Sequence, residues 1–225
     1  LVSAETSELK EEVYRIRHRV YCEEFGFEAV NAEGREQDEY DQQARHLLLR
    51  CMRTGARAGC IRLVLTPRDR PLLPLPSEKV CAATIDRRLF DPAAFPRESI
   101  AEISRLALAP EFRRMRPERN KDPVVPTDIG TPTHPGALYL RLGLYLGAIA
   151  LAHRLGIEAL LFLTEPRLAA QLRKFGFPIT QVGDPVEHRG TRVLSMAHLD
   201  DPIQRLPFYM RPLYRVVERE IEDGL

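Results

Sequence analysis

The stretch Ile100-Ala101-Glu102-Ile103-Ser104-Arg105-Leu106-Ala107-Leu108-Ala109 reads as a buried β-strand that stops at Pro110. It holds two charges where charge is costly. Alternation along a strand sends Glu102 and Ser104 to one face and Arg105 to the other, unless a bulge intervenes. A third such charge, Arg62, interrupts the apolar run 60–65. Buried charges require partners, and the aperiodic, acidic segment 28–43 supplies Glu36, Asp38, Glu39 and Asp41. Charge placed this way serves either a structural ion-pair network or a functional site.

The elements around this strand follow from their periods. Ser7 as N-cap, acids at Glu8, Glu11 and Glu12, and apolar residues at Leu9, Val13, Ile16 and Val20 predict an amphipathic helix ending near Glu24, before Gly26. Apolar runs 45–51 and 58–65 flank Arg53-Thr54-Gly55-Ala56 as a hairpin. Four prolines between Pro67 and Pro76 then break regular structure, and segment 111–135 reads as a long charged loop. A helix over 136–155 stops at Gly156, and its Gly143 and Gly147 share one face, permitting close approach to a sheet. A buried strand over 157–164 leads through Glu165-Pro166 into a helix to Phe175. Runs 179–187 and 191–199 form a second hairpin around His188-Arg189-Gly190, and 205–221 reads as a terminal helix. This order predicts an α/β fold: one domain over 1–225, with a core of about 7–199 and a mixed central sheet flanked by helices.

Composition narrows the function classes. The chain has 225 residues, 44% hydrophobic and 29% charged, which is globular. Lys+Arg 33 against Asp+Glu 32 leaves +1, which gives no bulk attraction to nucleic acid or anionic membrane. Of the basic residues 29 are arginine and 4 lysine, and arginine suits planar pairing with carboxylates and phosphates. Cys22, Cys51, Cys60 and Cys81 lack a C-x-x-C spacing and read as free thiols in a reducing cytoplasm. The six histidines never fall at i,i+3 or i,i+4, so no metal site is expected. The longest apolar run, 142–152, has 11 residues, short of the roughly 20 that a spanning helix needs. Nothing at the N-terminus resembles a signal peptide.

No G-x-S-x-G elbow, phosphate-binding P-loop, G-x-G-x-x-G or H-E-x-x-H is present. A different pattern is. Arg17-x-x-x-Tyr21-x-x-x-x-Gly26-Phe27, Asp38-Glu39-Tyr40-Asp41, Gly59-Cys60-Ile61-Arg62-Leu63 and Glu102-Ile103-Ser104-Arg105 resemble, in order and spacing, the signature of acyl-homoserine-lactone synthases. Thr164-Glu165-Pro166-Arg167, Phe175-Gly176-Phe177, Gly183-x-Pro185-Val186 and Gly190-Thr191-Arg192 continue it. The runs 13–24 and 102–107 resemble still more closely the exosortase (PEP-CTERM) system-associated acyltransferases. Both groups, with the N-acyl amino acid synthases, look like branches of the GCN5-type N-acyltransferase fold.

The resemblance implies an N-acyltransferase that moves a fatty acyl group from an acyl carrier protein thioester to an amino acid or similar small amine. It implies no tightly bound cofactor; the acyl-phosphopantetheine thioester is a co-substrate, with acyl-CoA the less favoured donor. Glu102 and Arg105 become the catalytic candidates, with Glu102 as base; charge balance for Arg62 or Arg105 is its other role. Arg17, Tyr21, Phe27, Asp38, Asp41, Arg62 and Ser104 become the substrate-binding candidates, Ser104 for acyl orientation and the others at the acceptor pocket. Oxyanion donors are expected from backbone N–H groups near 106–109, where the fourth strand would splay from the fifth. Segment 111–117 has no glycine to cradle a pyrophosphate, whereas Arg113, Arg114 and Arg116 could meet the phosphate and acidic surface of a carrier protein. Gly143, Gly147 and 160–163 are either an acyl tunnel or ordinary core. Two other readings stand beside this one: a homoserine-lactone synthase using S-adenosylmethionine, and a non-catalytic acyl or carrier-protein binding module. Phe27 stands where the lactone synthases usually carry Trp, and the chain has no Trp, which argues against the former.

Overall fold

A computed structural model describes residues 1–67, 69–113 and 135–223. Strand β1 (Val2–Ser3) leads to helix α1 (Ser7–Arg17), which continues as a π-helical turn through His18–Glu24. The N-cap is Thr6, not Ser7: its hydroxyl accepts from the Leu9 N–H at 3.3 Å. A 3-10 turn (Glu39–Gln43) precedes the hairpin of β2 (Ala44–Arg50) and β3 (Arg57–Leu65). The short helix α2 (Pro76–Val80) follows, then β4 (Ile100–Leu108) and α3 (Pro110–Arg113). Next come α4 (Pro135–Arg154), β5 (Ala159–Thr164) and α5 (Pro166–Lys174). The chain ends with β6 (Ile179–Gln181), β7 (Val186–Glu187), β8 (Thr191–His198), α6 (Pro202–Arg205) and α7 (Arg211–Asp223).

The sheet runs β1-β2-β3-β4-β5-β8-β6, with β7 also on β8. Among the described residues only β4–β5 pair in parallel, as the intervening α4 crossover requires. One face carries α4 and α7 over Leu47, Ile61, Leu63, Ile103 and Leu160. The other carries α1 over Leu48, Cys60 and Ala107, and α2 with Leu75 over Val64, Leu161 and Leu194. Burying both faces explains why β3 and β4 read as continuous apolar runs.

Three expectations change. The second hairpin is split, since β6 and β7 are separate strands on β8, broken where Gly183 bridges Ile85. The terminal helix is two helices, interrupted at Pro207, whose missing N–H and fixed φ end α6. Of the paired glycines, only Gly147 is needed for close approach, because a Cβ there would lie 3.1 Å from Leu47 Cδ1, while Gly143 faces open space. Among the described residues no helix is long and apolar enough to cross a membrane.

Candidate functional site

Two irregularities in β4 make the site. Pairing with β5 runs from Ile100–Ala159 to Ile103–Phe162 and stops, although β4 continues to Leu108 and β5 to Thr164. The strands therefore splay, leaving a cleft of about 400 Å³ that Ser104, Arg105 and Leu106 line from β4 and Leu163 and Thr164 from β5. On its other edge β4 is bulged: Cys60 pairs with Ala107 but Arg62 with Ser104, so Arg105 and Leu106 share the space opposite Ile61. Arg105 sits there at φ 51, a left-handed conformation that costs a non-glycine residue about 1 kcal/mol. Gly59 accommodates the bulge, since a Cβ there would stand 2.5 Å from the Ala107 carbonyl oxygen. Tyr21 donates its hydroxyl to the carbonyl of Leu106 at 2.8 Å and pins the strand on the cleft side.

The bulge corrects strict alternation. Arg105 turns to the acids that also hold Arg62 and Arg17, so the three guanidiniums share one network. Arg17, fully buried, gives Nε to Glu36 at 2.5 Å and a two-pronged contact to Asp41 at 2.7 and 3.0 Å. Arg62, equally buried, gives Nη1 to Asp38 at 2.6 Å and Asp41 at 2.9 Å, and Nε to the Ser104 hydroxyl at 3.0 Å. Arg105 reaches Glu36 at 3.1 Å, Asp38 at 3.0 Å and Glu28 at 3.4 Å; Arg189 also pairs with Glu28. Asp41 closes the 3-10 turn by accepting from the Asp38 N–H at 2.7 Å. The acid-rich loop is thus tied to the sheet through Glu28, Glu36, Asp38 and Asp41, each of which answers a specific arginine.

The electrostatics follow from burial against pairing. Burial alone would raise the Asp41 carboxyl, but the hydrogen bonds and charge of Arg17 and the charge of Arg62 hold it far below the carboxylate range. Asp38 is likewise lowered, the nearby charges of Arg62 and Arg105 outweighing its desolvation. Burial pushes the Tyr21 hydroxyl up to about 12. His46 on β2 is fully buried 3.6 Å from Asp41, and desolvation drops it to about 3, so it is neutral.

Glu102 lies on the Arg62 and Ser104 face, 3% exposed, two residues short of the cleft-lining Ser104. It does not pair with Arg105, and no hydrogen bond joins it to Arg62. Its Oε2 accepts from the Ser77 N–H at 2.7 Å and the Ser77 hydroxyl at 2.8 Å. Burial raises it to about 7, against the pull of those two bonds and of Arg62. A carboxyl at that value is half ionised at neutral pH and can exchange a proton with an amine.

Tyr21 and Phe27 line the cleft, with centroids 6.4 Å apart, and Phe25 joins them at 5.3 Å from Phe27. Arg113 stacks on Phe25 at 5.1 Å and pairs with Glu24, so the cleft wall holds it. Arg114 and Arg116 lie outside the described residues. Sequence reasoning left unassigned Phe25 and the further cleft residues Arg141, Arg167 and Arg192, and also Ser77. Arg167 and Arg192 stand inside motifs already singled out, which was the available signal; Arg141 has none in an apolar helix beyond being its lone mid-helix charge. Behind the cleft, Ile103, Tyr145 and Phe162 separate it from an apolar void of about 30 Å³ among Ile149, Leu172 and Phe177. The tunnel-or-core alternative thus moves from the glycines of α4 to its Tyr145 and Ile149.

Residues 16–119 match the family described as acetyltransferase (GNAT) domain. No curated protein sequence matches significantly. Among solved structures, BjaI, a CoA-dependent acyl-homoserine lactone synthase with SAM and isopentyl-CoA, superposes with TM-score 0.62 at 21% identity, covering 92% of this chain and 82% of that one. TofI, in a ternary complex with an inhibitor and MTA, gives TM-score 0.61 at 20% identity over 92% and 94%. FeeM, an N-acyl amino acid synthase from uncultured soil microbes, gives 0.54 at 13% over 91% and 93%. The fold is that of the GNAT acyltransferases, with an open mixed sheet flanked by helices.

Proposed function

We propose that this acyltransferase moves a fatty acyl group from the phosphopantetheine thioester of acyl carrier protein to the amino group of an amino acid or similar small amine. The observation that carries this reading is the β4–β5 splay, which opens a cleft bordered by the aromatic wall and by Arg105, the member of the arginine–carboxylate network that reaches it. The thioester carbonyl lies in the splay, where backbone N–H groups of a strand freed from pairing can donate to an oxyanion. The amine nitrogen bonds to the carbonyl carbon, the C–S bond breaks, and the thiol leaves. An ammonium acceptor surrenders two protons on the way, one to Glu102 through water and then to solvent, the other to the leaving thiolate. The Arg17, Arg62, Arg105, Asp38 and Asp41 network fixes the acceptor wall, and Tyr21, Phe25 and Phe27 cover it. Ser104, held by Arg62, orients the acyl group, and Tyr145 fronts the apolar void that receives its chain.

The donor reading rests on charge. Arg105, Arg113, Arg141, Arg167 and Arg192 line the cleft against one carboxylate, Glu165, which suits an anionic pantetheine arm and an acidic carrier surface. Arg114 and Arg116 extend this reading along the chain. The runs 13–24 and 102–107 favour the exosortase-associated branch, and a carrier-protein substrate implies a cytoplasmic enzyme. A second reading, acyl-homoserine-lactone synthesis from S-adenosylmethionine, draws support from the likeness to BjaI. Intact-mass spectrometry of decanoyl-acyl carrier protein, incubated with the enzyme, the amino acids and S-adenosylmethionine, separates them. Free-thiol carrier protein with an N-acyl amino acid is expected. An acyl lactone with methylthioadenosine selects the second reading, and an intact thioester in every mixture refutes both.

A further inference from the structure

Glu102 is gripped by a residue that no motif marks. Helix α2 aims its first turn at β4, and Ser77, 0% exposed, gives both its N–H (2.7 Å) and its hydroxyl (2.8 Å) to one carboxylate oxygen, Oε2. Ser77 is itself rigidly mounted. Its neighbour Glu78 accepts from the Leu75 N–H at 2.8 Å and takes both Nη atoms of Arg97 at 2.6 and 2.7 Å. Arg97 also holds the carbonyls of Pro71 and Leu73, so the proline-rich segment is anchored to the same support.

We infer that Ser77 is the positioning residue of the base, turning Oε2 of Glu102 toward α2 and keeping Oε1 for the proton of the acceptor amine. The inference rests on the reading of Glu102 as base. In the step, Oε1 takes an N–H proton of the acceptor relayed through water and the carboxylate becomes a carboxylic acid; that proton returns to solvent after the thiol leaves. Throughout, the Ser77 hydroxyl donates to Oε2, and two donors on one oxygen favour the ionised form. The other charged or titratable groups acting on this carboxyl are Arg62 from β3, Glu78 from α2, Cys81 just after α2 and Tyr40 from the 3-10 turn. The face opposite it on β5 is the apolar Leu161.

The test is the pH dependence of kcat, followed as thiol release from decanoyl-acyl carrier protein with an equimolar mixture of the amino acids. Wild type, S77A, S77G and E102Q are compared, so titration of the acceptors cancels. Losing one bond to the charged form moves the acidic limb of S77A and S77G up by about one pH unit, roughly a tenfold loss at pH 6 that recovers by pH 9. S77T keeps the hydroxyl and the wild-type limb. Loss in S77A by the same factor at every pH, with E102Q inactive, overturns the role of Ser77 and leaves Glu102 as base. Full turnover in E102Q overturns the base and Ser77 with it. Infrared titration of the Glu102 carboxyl band, taken as wild type minus E102Q, needs no substrate: its midpoint rises in S77A, and an unmoved midpoint overturns the inference.

Discussion

Replacing Asp41 by Asn changes one atom's identity and removes one charge, yet it strikes the centre of the network. Oδ1 accepts from Arg17 at 2.7 Å and Arg62 at 2.9 Å; Oδ2 accepts from Arg17 at 3.0 Å and the Asp38 N–H at 2.7 Å. An amide can present its oxygen to one pair only, so its NH2 group meets two donors. Arg17 and Arg62, 0% and 1% exposed, then lose their shared counter-charge without access to water. Breaking a buried pair by removing one partner costs about 3–5 kcal/mol. For a chain of this size that lowers the melting temperature by on the order of 10 °C. Urea unfolding followed by circular dichroism at pH 7 measures the loss against wild type. The exposed Arg88–Asp86 pair is the control, and R88A should leave the urea midpoint in place. A D41N cost below about 1 kcal/mol would refute the idea that these ion pairs hold the loop.

Four further outcomes are expected. Glu102 titrates near 7 in the fold but at the ordinary 4.5 when unfolded, so as pH rises between those values the unfolded chain releases the proton first and stability falls. At pH 8 the loss approaches about 3 kcal/mol, and E102Q should unfold later than wild type there; earlier unfolding would contradict the raised value. Burial and strong pairing act oppositely at Glu12, which Arg57 and Arg50 hold down to about 2, and at Asp38 and Asp41. Their contribution is complete above the ordinary carboxylate range and fades as pH falls toward 2, read as a declining urea midpoint. R105G and R105A lose the same ion pairs, but only glycine suits φ 51, so R105G should be the more stable by about 1 kcal/mol; equality would remove the bulge. Y145A joins the cleft to the apolar void, so competition among carrier proteins of graded acyl length should favour longer chains, and an unaltered preference would remove Tyr145 from the acyl path.

The strands were legible because β3, β4 and β5 are buried on both faces and carry apolar runs, broken by only a few charges, between glycine or proline boundaries. The network was legible in its members, since Arg62, Glu102 and Arg105 are conspicuous within such runs. Its wiring was not. Which way Arg105 points depends on a one-residue bulge that side-chain identity does not encode, apart from Gly59, whose missing Cβ is the space the bulge uses. The pairing of Glu102 with Ser77 joins residues 25 positions apart, Ser77 lying just after a proline-rich stretch that carries no periodic signal. The break at Pro207 was visible as a residue; it went unread because the hydrophobic face of the terminal helix continues across it. Cleft arginines such as Arg141 are ordinary surface residues until α4, α5 and the splayed strands bring them together.

The reciprocal pairing of Arg17, Arg62 and Arg105 with Glu36, Asp38 and Asp41 also limits how this lineage can vary. A single exchange at any of the six positions takes a partner from at least two charged groups, most of them buried, so most one-step changes lower stability. Drift there must proceed by compensated pairs or not at all. The cleft walls outside the network, Phe25 and Phe27 among them, carry no such debt to a charged partner. On the proposed function, new acceptors are therefore reached by altering the aromatics while the charged frame stays as it is.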